Sequence, residues 1–184
     1  MDIQDIIGTT RDQFLLDGSN EIDFFPAIMS DPIGGTAPDA GNITIQGVQF
    51  ATLLYGVNET QGVKIELNHP YKNAGYVDFH IRYFPVNDNT GTVNFSYNYF
   101  IFHVDGTTTA GAVVNVEQKT ILAGDKTANK GQYASVVLDS ANFVGGDMII
   151  GQFKREAGTY GSDVAIMEIG LHGGVGKVGR KHMT

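Results

Sequence analysis

Apolar and polar residues alternate with a period of two through much of the chain. In Thr92-Val-Asn-Phe-Ser-Tyr-Asn-Tyr-Phe-Ile-Phe102, Val93, Phe95, Tyr97, Tyr99 and Ile101 share one face, and Thr92, Asn94, Ser96 and Asn98 share the other. Successive side chains of a strand point to opposite sides, so this run predicts a half-buried antiparallel strand. Residues 76–84 alternate likewise, with Val77, Phe79, Ile81 and Tyr83 on one face and Asp78, His80 and Arg82 on the other. Between the two runs, Pro85-Val-Asn-Asp-Asn-Thr-Gly91 is rich in turn formers, which predicts a hairpin. Residues 63–67 form a shorter alternating strand. Further strands are expected over 42–49, 50–57, 112–121, 132–138, 148–155 and 164–171, each bounded by turn material. No window carries an apolar stripe of helical period and length, and residues 3–7 make at most a turn or two of helix. The pattern predicts an all-β chain, an antiparallel β-sandwich of jelly-roll-like form.

The first forty residues read differently. They hold three of the five prolines, with apolar pieces at Phe14-Leu15-Leu16 and Phe24-Phe25. Such a stretch cannot build a core of its own, so its apolar residues need a surface to rest on. The expected organisation is an extended arm over 1–40, a sandwich over 41–172 and a short tail over 173–184. Phe14, Phe24 and Phe25 of the arm are candidate partner-binding residues.

Composition sharpens this reading. Glycine supplies 24 of 184 residues, about 13% against a usual ~7%. Most of these glycines fall between the expected strands, in the arm or in the tail, where tight turns and extended chain suit them. The absence of cysteine excludes a disulfide scaffold, a thiolate zinc site and a cysteine nucleophile, and it fits synthesis in a reducing cytoplasm. No early lysine or arginine accompanies Asp2 and Asp5, unlike a secretory signal. No apolar run approaches the ~20 residues needed to span a bilayer, so no membrane partner is expected.

Twelve basic and twenty acidic residues give a net charge of −8. Duplex binding draws on the opposite sign, so no nucleic-acid partner is expected. Residues 173–184 carry three cations (Lys177, Arg180 and Lys181) and no acid, which leaves the preceding 172 residues at a net −11. A basic tail on an acidic body suits docking on a neighbouring copy or another acidic partner.

Chemistry-bearing motifs are few. His80 would open a His-x-His metal pattern on its strand, but position 82 is arginine, which repels a metal, so no metal and no cofactor are expected. His80 is instead read as a strand-face residue bonded to a neighbour. There is no Gly-x-Ser-x-Gly elbow and no phosphate-binding Gly-x-x-x-x-Gly-Lys loop. Asp163 and Glu168 flank a strand without a second acid at glycosidase spacing, and structural roles are expected for both. Tyr97 and Tyr99 lie on the apolar face and are expected in the core. The chain is not read as an enzyme.

Several segments together resemble a β-sandwich domain of tailed-bacteriophage virion structural proteins. They are Ile65-Glu-Leu-Asn-His-Pro-Tyr-Lys72, Val77-Asp-Phe-His-Ile-Arg-Tyr83, Thr90-Gly-Thr-Val-Asn-Phe-Ser-Tyr97, Phe153-Lys-Arg-Glu156, the run from Tyr160 to His172, and Val178-Gly-Arg-Lys181. Their order and spacing follow the family pattern from about residue 60 to 181, two thirds of the chain. Arg82 stands where the pattern has a second histidine, Tyr83 and Phe95 where it has tryptophans, and Gly173 where it has a tyrosine. The resemblance implies a virion component and brings no catalytic residue with it.

Two functions follow as expectations. The first is a capsid cement or decoration protein, a homo-oligomer with a trimer as its expected form, bound to the major capsid protein or other virion proteins through the arm and through Lys177, Arg180 and Lys181. The alternative is a tail- or fibre-associated receptor- or carbohydrate-binding module. That reading needs an exposed aromatic and polar patch, for which Tyr160, Tyr133 and Phe102 are candidates.

Overall fold

The structure is a computed structural model that describes residues 21–24, 28–30, 34–67, 77–138 and 143–174, with the backbone alone at 21–24, 28–30 and 172–174. The strands in chain order are β1 (Glu21–Phe24), β2 (Ile28–Ser30), β3 (Asp39–Ile45), β4 (Val48–Tyr55), β5 (Thr60–Glu66) and β6 (Val77–Pro85). They continue as β7 (Gly91–Phe102), β8 (Thr108–Asn115), β9 (Lys119–Ile121), β10 (Gln132–Leu138), β11 (Met148–Glu156) and β12 (Val164–Gly174). Among the described residues no helix is long and apolar enough to cross a membrane.

The strands form two antiparallel sheets packed face to face. Sheet A runs β10-β6-β12-β4-β3, with β1 pairing the C-terminal half of β12; sheet B runs β2-β5-β11-β7-β8, with β9 pairing the start of β7. From β4 to β7, and again from β9 to β12, successive strands pass from one sheet to the other. That alternation makes the sandwich jelly-roll-like.

The core is aromatic. Phe79 of sheet A stacks on Tyr97 of sheet B, with ring centroids 4.3 Å apart. Phe95 stacks on Phe153 at 5.0 Å, and Tyr83 meets Phe95 edge-on at 5.2 Å. Tyr83 and Phe95 therefore meet across the interior. Tyr97 and Tyr99 are buried, and Tyr55, Tyr160, Ile81 and Leu171 fill the space around the stack. Quadrupole-favoured ring geometries add to the large area these side chains bury.

Three sequence expectations need correction. β6 and β7 are not a hairpin, because residues 86–90 carry the chain from sheet A to sheet B. Period-two alternation fixes which side chains face inward, and two strands facing one another across a core share that signature with two strands lying side by side. The turn after the first predicted strand falls at Gln46 and Gly47 (φ 49° and 79°), three residues before the expected break. Two consecutive positive φ values make a two-residue hairpin loop, a form usually signalled by Asn-Gly. The single strand expected over 112–121 is two strands, β8 and β9.

Within the stretch read as an arm, β1 and β2 join opposite sheets, so this part of it lies on its own domain. β12 runs two residues past the expected end of the sandwich, to Gly174. Residues 3–7 lie outside the described residues.

Candidate functional site

The outer face of sheet A gathers polar and aromatic side chains from three neighbouring strands. Inward positions of β6 are apolar, which leaves Asp78, His80 and Arg82 on the outer face. On β10 the same parity puts Tyr133, Ser135 and Val137 outward, and the register sets Tyr133 opposite Arg82, Ser135 opposite His80 and Val137 opposite Asp78. On the other side of β6, a register shift between Ile166 and Glu168 of β12 places Glu168 opposite Arg82 and Gly170 opposite His80. Bulges of this kind re-aim the following side chains. Ile166 and Ile169 can thus both pack toward the core while Glu168 faces out.

The resulting cluster is closely connected. The Tyr133 ring stacks on the His80 imidazole, with centroids 5.6 Å apart and planes 23° apart. This cover explains why a histidine on an outer face is fully buried. The Arg82 guanidinium carbon lies 5.7 Å from the Tyr133 ring centroid, within cation–π range. Glu168 bridges the pair, with one carboxylate oxygen 3.3 Å from Arg82 Nε and the other 3.4 Å from His80 Nε2. The Tyr133 hydroxyl donates to Asp78 Oδ2 at 3.3 Å. Burial and the nearby Asp78 charge both raise the Tyr133 pKa, so the hydroxyl keeps its proton at neutral pH.

Despite these ties the cluster presents an open surface. Tyr133 is 39% exposed, and the Arg82 side chain is 57% exposed with only its Nε engaged by Glu168. A ring held from beneath, with an exposed guanidinium over it and a carboxylate nearby, offers aromatic contact together with donors and acceptors for the hydroxyls of a ligand. Among the described residues there is no group of three or more His, Asp or Glu side chains placed to hold a metal ion.

The other aromatic candidates lie elsewhere. Tyr160 is a core residue, not a surface one. It is fully buried, and its backbone packs against Gly91, where a Cβ would come within 2.4 Å of Tyr160 N. Phe102 is exposed, but on the outer face of sheet B beside Phe100, between Thr108 and Met148, with no charged cross-strand neighbour of the kind that Tyr133 has in Arg82. Glu168, expected to be structural, belongs to the outer cluster. Phe14, Phe25, Lys177, Arg180 and Lys181 lie outside the described residues, and Phe24 is described only as a backbone position of β1 opposite Leu171.

A second polar cluster closes one end of the sandwich. Asp147, fully buried, meets His103 Nδ1 at 2.9 Å and accepts from the backbone N–H groups of Val144 (2.9 Å) and Val104 (3.3 Å). His103 Nε2 lies 2.9 Å from Thr109 Oγ1. These bonds pin the β7–β8 turn to the loop before β11, a structural role.

No protein-family model matches the chain, and no curated protein matches its sequence. Among solved structures the chain is similar to the CBM36-1 domain of a multidomain xylanase from the hindgut metagenome of Trinervitermes trinervoides. That match has 19% identity and a TM-score of 0.41 over 85% of this chain and 99% of that one. It is similar to a CBM35 from Cellvibrio japonicus, with 16% identity and a TM-score of 0.43 over 83% and 92% of the two chains. It is also similar to the C-terminal CBM6 of a laminarinase from Zobellia galactanivorans, with 11% identity and a TM-score of 0.39 over 83% and 98%.

Proposed function

We propose that this chain is a carbohydrate-binding β-sandwich that holds a sugar on the outer face of sheet A without chemically altering it. One observation carries the reading: the Tyr133 ring, supported by His80 and 39% exposed, sits with the Arg82 guanidinium over it and Glu168 nearby on an open sheet face. Aromatic stacking supplies affinity while tolerating different sugars, and the charged pair selects the pattern of hydroxyls. A pre-formed support limits the ordering cost of binding. The proposed setting is a tail or fibre of a tailed phage, where such a module would engage glycans of the host surface; the sequence resemblance supports only a virion component.

The test is a glycan-array screen followed by calorimetric titration of the strongest oligosaccharide. Tyr133→Ala is expected to weaken binding about 5- to 150-fold, taking the order of 1–3 kcal/mol that stacking of a flat base on one aromatic ring contributes as the scale. Arg82→Ala should weaken it less and change the ranking of sugars. Absence of binding to any array polymer, or binding indifferent to both substitutions, defeats the proposal. The setting is tested separately by cryo-EM of the particle, where density on the head shell contradicts a tail or fibre location.

A further inference from the structure

The outer face of sheet B has a different character. Register places Phe100 between Ala110 and Ile150, and Phe102 between Thr108 and Met148, with Val113 one step away opposite Asn98. Phe100 and Phe102 are 39% and 43% exposed, and Val113 is 63% exposed. Val104, at the tip of the β7–β8 turn, is similarly open. Phe100 and Phe102 with their cross-strand neighbours Ala110, Ile150 and Met148 make an apolar patch, with Val113 and Val104 near its ends, and exposed apolar patches mark contact surfaces.

Charge identifies the occupant. Outward positions on this sheet carry Lys64 and Glu66 from β5 and Lys154 and Glu156 from β11, and the latter two pair at 2.7 Å. β8 has no charged residue, and among the described residues no strand pairs its outer edge. The strand residues of this face therefore sum to zero charge on a chain of net charge −8, with the exposed Asp105 of the β7–β8 turn at its margin. Two copies repel one another over most of their surfaces, but across these strands they meet without that opposition.

We infer that two copies of the chain pack back to back through the outer faces of sheet B, burying Phe100, Phe102 and Val113 of each. The same patch serves both copies, so the contact is isologous and closes at two around a two-fold axis. Both A faces then point away from the contact, and the pair presents two binding faces at once, which raises avidity on a repetitive surface. The inference does not depend on what sheet A binds.

Light scattering after size exclusion and sedimentation equilibrium, both on the full chain at about 1–100 µM, test it. The wild type is expected to be a dimer. Phe100→Glu with Phe102→Glu is expected to raise the dissociation constant at least about 100-fold, because buried aromatics at an interface centre dominate its energy. Both side chains are already exposed in one copy, so the far-UV spectrum and melting temperature should hold. Val113→Lys, at the patch edge, should weaken the dimer about tenfold and provides a second measure if the double variant fails to fold. Tyr133→Ala, on the opposite face, should leave the dimer intact. A wild type that is monomeric at about 100 µM, a trimer, or a dimer unmoved by the folded variants overturns the inference.

Discussion

Arg155 offers the sharpest probe of how the sandwich is held together. Its guanidinium is 1% exposed, inside the core, where Nη1 donates to the Tyr55 carbonyl at 2.5 Å and Nη2 to the Tyr160 carbonyl at 2.6 Å. Those carbonyls belong to the end of β4 in sheet A and to the loop between β11 and β12, so one side chain of sheet B ties three segments. Burial lowers the Arg155 pKa, a cost that Asp163 and Tyr160 partly offset. Arg155→Ala removes two charge-assisted bonds worth about 1.5–3 kcal/mol each and leaves a cavity, but it relieves the desolvation of a cation. The net expectation is a loss of about 3–5 kcal/mol. For a domain of this size each kcal/mol moves the melting temperature by about 2–4 °C, so the midpoint should fall by roughly 6–20 °C. Arg155→Met refills the volume without the charge and should recover about half of that loss. Urea titration followed by tyrosine fluorescence measures both. If Arg155→Ala costs less than about 1 kcal/mol, the guanidinium is not a tie and the reasoning fails.

Other substitutions test packing, the buried carboxylate and charge. A Cβ at Gly151 would lie 2.3 Å from the Asn98 carbonyl and 2.9 Å from Tyr99 Cα, so Gly151→Ala should force β11 and β7 apart and cost about 1–3 kcal/mol. Gly161→Ala, with nothing within 4 Å, should be near neutral in the same melts. Asp147→Asn weakens the bond to His103 and should cost about 2–3 kcal/mol, with faster hydrogen exchange at Val104 and Val144. Asp88 and Asp105 have pKa values lowered by hydrogen bonds from Thr127 and Thr107. At Glu156 burial raises the pKa, but bonds from Lys154 and Ser96 outweigh it and the value falls. A depressed folded pKa means the unfolded chain binds more protons, so this stability is present above the ordinary carboxylate range and is lost as pH falls through the folded values. Melting temperature should therefore drop below about pH 4, and Glu156→Gln should make that drop shallower.

What the sequence disclosed follows from what alternation can encode. β7 was legible residue by residue because each strand buries one face, and Val93, Phe95, Tyr97 and Ile101 cannot face water together without a large penalty. Partnership between strands was not legible, which is why residues 85–91 read as a hairpin when they cross between the sheets. β1 and β2 are only four and three residues long, and backbone pairing at sheet edges leaves little trace in side-chain pattern. The site was half visible. Asp78, His80 and Arg82 could be assigned to one polar face, and Tyr133 was a named aromatic candidate. Their meeting depends on the β10–β6–β12 register, and the arrival of Glu168 depends on a bulge that no composition rule announces. Tyr160 misled because its turn-rich neighbourhood suggests a surface loop, whereas Gly91 allows its backbone to pack close and its ring to enter the core.

The central claim, that a sugar binds on the outer face of sheet A, is tested most directly by mapping amide and side-chain NMR shifts during titration with an oligosaccharide selected on the array. Perturbations are expected to concentrate on Tyr133, Ser135, His80, Arg82 and Glu168, on three adjacent strands of one face. Shifts centred on Phe100 and Phe102, or confined to the loops at either end of the sandwich, would contradict the account.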